Sequence, residues 1–243
     1  MKNEFKWFII LLGFTYYMYY LISTKKLYLF IHPKMTCYIV FAFIIFIILC
    51  VFQIHNIFKS KHSISSKSVS SVFLIPLILA FLINPQGLSS DITQKKGLTT
   101  SPSFTINDNV KKEKGTIKLN DNNFSDTINE IENNVYKYKN RKIEISGFVY
   151  RDTNFPKDCF VTARMLIICC AADAEVTGIA CNKVNNNLKN NEWIKVTGTI
   201  KSMKNFDKED TTQTVIPVIE VQSIKPISKP NNPYIYLKKT LSK

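Results

Sequence analysis

Two adjacent thiols and a nearby acid, in the run Cys169-Cys170-Ala171-Ala172-Asp173, are the residues of this chain best suited to chemistry. Thiolates and a carboxylate held together make a site for zinc or another divalent cation. Neighbouring thiols are also the minimum equipment of a redox centre. Little else in the sequence helps either chemistry. There is no Cys-x-x-Cys pair, and the three histidines, His32, His55 and His62, all lie in the first third of the chain. A thiol in the second half therefore has no imidazole to activate it, which argues against a cysteine hydrolase and for a non-enzymatic role. A further thiolate from Cys159 or Cys181 would strengthen a metal site; alternatively these two would form disulfides with Cys169 and Cys170 in an oxidising compartment. Adjacent cysteines seldom bond to each other, because the geometry is strained. Successive residues of a strand point to opposite faces, so Cys169 and Cys170 join one site only where the chain turns. The competing reading is packing: small residues buried at a strand end, with Asp173 capping the next turn.

The elements that must position these residues fall into two parts. Residues 1–88 read as a membrane region of about three transmembrane helices, over 5–22, 35–54 and 68–88. The first is long enough to cross, carries Lys6 near its start, and ends in Tyr16, Tyr17, Tyr19 and Tyr20, an aromatic belt rather than a signal-peptide cleavage site. The second, uncharged from Met35 to Ile54, is the strongest. The third has a shorter apolar centre interrupted by Pro76 and closed by Asn84-Pro85, so a re-entrant or interfacial segment is its alternative. Cys37 and Cys50 in this region read as packing. Lysines flank both sides equally, Lys2, Lys6, Lys59, Lys61 and Lys67 against Lys25, Lys26, Lys34, Lys95 and Lys96, so their number does not decide the orientation. The dense loop from Lys59 to Lys67 reads as cytoplasmic, which places the C-terminal domain outside the cytoplasm in a multi-pass protein of the cell membrane. The spans hold neither acid nor lysine in their interiors, so they offer no polar pathway of their own.

Residues 89–123, rich in Gly, Ser, Thr, Asn, Asp and Lys, read as a flexible linker. Residues 124–230 read as a mostly-β domain with one preceding helix, and 231–243 as a tail. Ile128, Ile131, Val135 and Tyr138 recur at helical spacing, with Ser125 as the expected cap. The period then becomes two. Residues 142–150 alternate around Gly147, and 193–200 repeat the pattern around Gly198, as bent strands do. Residues 159–168, 177–181 and 215–224 supply three more. Five short strands in about a hundred residues suggest a small, strongly curved barrel like the oligonucleotide/oligosaccharide-binding (OB) fold.

Such barrels often bind nucleic acid, and Phe148, Tyr150, Phe155 and Phe160 could stack bases, although such aromatics are more often core. The net charge of +14 is spread through the chain without a compact basic block. Anionic lipid headgroups fit it better than nucleic acid. The abundance of Lys, Asn and Ile is what a genome poor in G and C produces without functional cause.

The run from Phe160 to Ala174 with Gly178, the segment Ile31-His32-Pro33-Lys34-Met35, and the later strand Trp193-Ile194-Lys195-Val196-Thr197-Gly198 together resemble a bacterial family of membrane proteins described as subunits of a two-component membrane permease complex. The most specific element is Cys-Cys-x-Ala-Asp at Cys169 to Asp173. The resemblance covers most of the chain outside the linker. It implies an accessory subunit whose partner is a separate, multi-spanning permease. By position, Arg164, Cys169, Cys170, Asp173 and Gly178 match the family element, whereas Cys159 and Cys181 have no place in it. The resemblance therefore favours a site centred on Cys169, Cys170 and Asp173, with Arg164 and Gly178 supporting it. His32, ionisable and beside a proline near the membrane face, is a further supporting candidate for ion passage. Its alternative is a loop residue at headgroup level. The expected function is an accessory permease subunit whose barrel binds a cation or other small ligand. A membrane-tethered thiol module and a structural domain with packed cysteines are the competing readings.

Overall fold

The computed structural model describes residues 2–59, 71–82, 115–152, 155–182, 188–206 and 214–236. The charged loop after Lys59, most of the expected linker, both ends of the third apolar segment and residues 237–243 lie outside them. The chain divides into two compact units, Met1–Gly87 and Leu88–Lys243.

In the first unit, helix α1 (Lys2–Ser23) and helix α2 (Thr36–Lys59) are long and apolar enough to cross a bilayer. Their large apolar side chains, among them Leu12, Phe41 and Phe52, point outward, the arrangement that lipid rather than water permits. Lys25, in the left-handed region at φ 57°, reverses the chain after α1, and short 3-10 turns at Lys26–Leu29 and Pro33–Met35 lead into α2. Phe14 meets Phe46 across the pair, and the Thr15 hydroxyl lies 3.5 Å from the Cys50 sulfur.

The third apolar segment gives a 3-10 turn, Ser71–Phe73, followed by helix α3 (Leu74–Leu82). Its nine residues alone fall well short of the ~20 that a crossing needs. Pro76 sits in the first turn of α3, where a missing N–H costs nothing, so it starts the helix rather than interrupting it. Trp7 meets Phe73, Gly13 receives Leu77, and Tyr17 meets Phe81, so α3 runs in the same direction as α1 along its flank.

The second unit is a closed five-stranded barrel. Strands β2 (Lys142–Tyr150), β3 (Phe160–Ile167), β4 (Glu175–Asn182), β5 (Trp193–Lys204) and β6 (Val215–Pro226) hydrogen-bond in the ring order β2-β5-β6-β4-β3 and back to β2. Every contact in the ring is antiparallel except β4 with β6, which is the OB connectivity. The register of β5 on β6 shifts between Thr197 and Gly198, the bend that Gly198 forecasts. Helix α4 (Phe124–Asn133) precedes the barrel and drives Ile128 and Ile131 into its core beside Ile145, Ile194 and Ile219. At Asn134 the helix breaks, and a single turn, α5 (Val135–Tyr138), leads on to β2.

Three details depart from expectation. Asn123, not Ser125, stands at the head of α4, and Ser125 is buried inside its first turn. A short strand β1 (Ile117–Lys118), in the stretch read as linker, pairs in parallel with β2. A second, β7 (Tyr234–Tyr236), in the stretch read as tail, pairs in parallel with the last residues of β3 and buries Tyr234 and Ile235. Strands of two and three residues carry no alternation long enough to read, and tertiary pairing alone creates them.

Candidate functional site

The site sits where β3 turns into β4. The two strands pair without a break from Phe160 opposite Cys181 to Leu166 opposite Glu175, and β7 braces the last three residues of β3 from the other side. The hairpin tip is thus a short loop on a stiff support. After Ile167 the backbone leaves the strand, and Ala171–Asp173 form a 3-10 turn. That turn brings both thiols to one side, as a straight strand would not.

Asp173 folds back over the tip. Its carboxylate accepts the backbone N–H groups of Ile168 at 3.2 Å, Cys169 at 2.7 Å and Cys170 at 3.3 Å. Three successive amides aimed at one carboxylate form an anion-binding nest closed by the chain's own side chain. The Cys169 thiol also donates to Asp173. One ligand atom from each of Cys169, Cys170 and Asp173 lies within 4.8 Å of the other two. Cys169 is exposed, and Cys170 and Asp173 are half-buried.

The charges follow from these bonds. Partial burial works to raise the Asp173 pKa, but the thiol of Cys169 and the amides of Cys169, Cys170 and Ile168 favour the ionised form and hold it below the ordinary carboxylate range. The same contact acts oppositely on the thiol. Donating to Asp173, and lying beside Cys170, pushes Cys169 up to about 12 despite its exposure. Without a metal, Cys169 therefore carries its proton at neutral pH. The residues that can hold a metal here are Cys169, Cys170 and Asp173, and among the described residues no fourth Cys, His or carboxylate joins the group.

Cys159 and Cys181 do not converge on it. They sit at the opposite end of the β3–β4 ladder, six strand steps or roughly 20 Å from the end that carries the tip. Both are buried free thiols; burial pushes Cys181 up to about 12, and its sulfur lies 3.2 Å from the Thr162 hydroxyl. The option of a metal ligand or a disulfide partner from either residue is corrected by this distance.

The supporting candidates take other roles. Arg164 shares the inward face of β3 with Phe160 and Leu166 and is buried. Its guanidinium donates to the Asp121 carboxylate at 3.0 Å and to the Pro233 carbonyl at 3.2 Å, between the rings of Phe124 and Trp193. It ties the segments entering α4 and β7 to the strand that carries the site. Gly178 lies against β3, where a Cβ would collide with the Thr162 carbonyl, and Gly147 meets the Ala163 carbonyl on the other side of the same strand. Both glycines let β3 pass between its neighbours at close range. His32 belongs to the membrane unit, where its Nδ1 accepts the Lys34 N–H and caps the turn Pro33–Met35. Phe148, Tyr150 and Phe160 are buried, and Phe155 packs on Tyr150 and Phe206, which leaves the four no common face for stacking bases.

Residues 99–237 match the DUF1980 C-terminal domain, and residues 7–99 match the DUF1980 N-terminal domain. The chain belongs to the DUF1980 family. The Cys-Cys-Ala-Ala-Asp tip is thus carried on the DUF1980 C-terminal domain, and helices α1 to α3 form the N-terminal one. The chain is 23% identical to UPF0703 protein YcgQ of Bacillus subtilis (strain 168), over 94% of this chain and 98% of that protein. It is 31% identical to a Streptococcus mutans protein (serotype c, strain ATCC 700610 / UA159) named "Putative two-component membrane permease complex subunit". That match spans 62% of this chain and 58% of the relative. No solved structure matches.

The segments that hold Arg164 escaped the sequence reading. Asp121 lies in a polar stretch, and Pro233 follows a run of small and polar residues. Neither belongs to a periodic pattern, and Asp121 is 43 positions from Arg164. The available signal was Arg164 itself, a lone charge in a strand otherwise fit for burial, which demands partners from somewhere.

Proposed function

We propose that this chain is a non-enzymatic accessory subunit of a two-component membrane permease complex, working beside a separate multi-spanning permease. Its barrel lies outside the cytoplasm, and the β3–β4 tip takes up or hands over a metal cation, zinc or another divalent ion. The observation that carries this reading is the convergence of Cys169, Cys170 and Asp173 at an exposed, braced hairpin tip. Support for the complex comes from the name of the Streptococcus mutans relative and from the two long apolar helices. The spans hold no internal acid or lysine, so the pathway for a charged substrate belongs to the partner.

The test is a replacement in cells that carry the gene. Changing Cys169 and Cys170 together to Ser should reproduce the cation-accumulation defect of a full deletion, while the variant remains in the membrane at its normal level. Normal cation accumulation in that strain would remove the reading.

A further inference from the structure

The three clustered side chains are not equivalent. An ionised carboxylate offers about four lone-pair positions. Those of Asp173 already meet four N–H contacts: Oδ1 accepts from Ile168 at 3.2 Å and Cys170 at 3.4 Å, and Oδ2 from Cys169 at 2.7 Å and Cys170 at 3.3 Å. A metal ion seated on either oxygen would compete with these three amides, Cys170 being shared between the two oxygens, and loosen the turn that aligns the thiols. The sulfurs are held more lightly: Cys169 donates its one proton to Asp173, and Cys170 accepts the Asp173 N–H. Cys169 is exposed and Cys170 half-exposed, so an incoming ion can reach both sulfurs.

We infer that Asp173 is a positioning residue and that the tip is a two-thiolate site for a soft, monovalent, thiophilic cation, with a further coordination position left for a donor from outside the chain. This rests on the cation-handling reading above and narrows it. Binding forms two metal–sulfur bonds and releases two thiol protons to solvent, with no change of oxidation state. The choice of ion follows from the donor set. Thiolates select soft ions, and an ion content with two ligands needs nothing more from the protein. Zinc closes a tetrahedron in its structural sites and takes three protein ligands in its catalytic ones. Once Asp173 is committed to the backbone, the cluster supplies two. An exposed site with few ligands also suits transfer better than storage, because an incoming thiolate or thioether can reach the ion before the first two let go.

The experiment uses the full chain in detergent, reduced and free of oxygen. Silver(I), a soft monovalent ion that does not cycle its oxidation state, is titrated against a chromophoric competitor, and zinc(II) is titrated in parallel. X-ray absorption then counts the sulfur and oxygen neighbours of the bound ion. Expected is one silver ion per chain beyond the uptake of the double serine variant, which keeps the exposed Cys37, with two sulfur neighbours from the protein, no stoichiometric zinc, and no uptake above that level in Cys169→Ser or Cys170→Ser. Asp173→Asn should keep the one-to-one stoichiometry with affinity lowered about 10- to 100-fold, as when a group that orients ligands is lost. One equivalent of zinc with an oxygen neighbour that Asp173→Asn removes would overturn this inference and leave the cation-handling reading standing. If neither ion binds above the level of the double serine variant, both fall. The absorption spectrum of the unaltered chain keeps the test decisive even if a variant misfolds.

Discussion

The hydrogen bond between Cys169 and Asp173 moves the proton affinities of the two groups in opposite directions. Because Cys169 is pushed up to about 12, its thiolate is scarce at pH 8, and alkylation of the metal-free protein there should be slow for so exposed a cysteine. Asp173→Asn removes the charge and should speed modification of Cys169 by about tenfold or more, read by mass spectrometry of the labelled peptide. Equal rates in the two proteins would break the link between carboxylate and thiol. The Asp173 side runs the other way with pH. Its folded-state pKa is depressed, so its contribution to the tip is complete above the unfolded value near ~3.9 and is lost as pH falls through the lower folded value. Protection of the Cys169 and Cys170 amides, relative to their intrinsic exchange rates, should therefore hold at pH 5 and fall only in stronger acid. Early loss of protection, near pH 5, would contradict the nest.

Strand β3 is the element on which the site depends, and its neighbours say how much. Gly178→Ala would drive a methyl group into the Thr162 carbonyl and should cost about 1–3 kcal/mol, measured by denaturant unfolding through Trp193 fluorescence. Arg164→Ala removes packing between Phe124 and Trp193 and leaves the Pro233 carbonyl without its donor, for a loss of about 2 kcal/mol or more. Asp121→Ala should cost less than about 1 kcal/mol, because that carboxylate is 65% exposed and its attraction is screened by water. Comparable losses at Arg164 and Asp121 would show that the ion pair, rather than burial of the guanidinium, governs the site.

These same elements show what could be read from the sequence. Residues 142–150 and 193–200 announced bent strands through alternation interrupted by Gly147 and Gly198, and α4 announced itself through Ile128 and Ile131, because each pattern is local. Cys169 and Cys170 were visible as residue types. Their convergence was not, since it depends on the turn at Ala171–Asp173 and on amide directions that no spacing encodes. β1, β7 and the partners of Arg164 depend on contacts between distant positions, and neither periodicity nor turn chemistry marks them.

For the whole molecule, the barrel core is built from residues 117 onward. Residues 115–243 expressed alone should form a soluble, cooperatively unfolding domain. A version beginning at Phe124 loses β1 and Asp121 and should be measurably less stable. The full chain should resist alkaline extraction from membranes, as α1 and α2 require. An anchor without internal charge joined to a barrel with an exposed thiol tip leaves cation handling to the tip, and the metal content of the purified chain reads this out. The full chain, purified from membranes without oxygen or chelators, would be analysed by elemental mass spectrometry beside its Cys169→Ser, Cys170→Ser variant. Near-stoichiometric metal is expected in the first and none in the second, with the variant still folded. A metal-free chain that also takes up no added cation, its thiols unreactive until it is unfolded, would reduce the cysteines to packing and rule out a cation-handling tip.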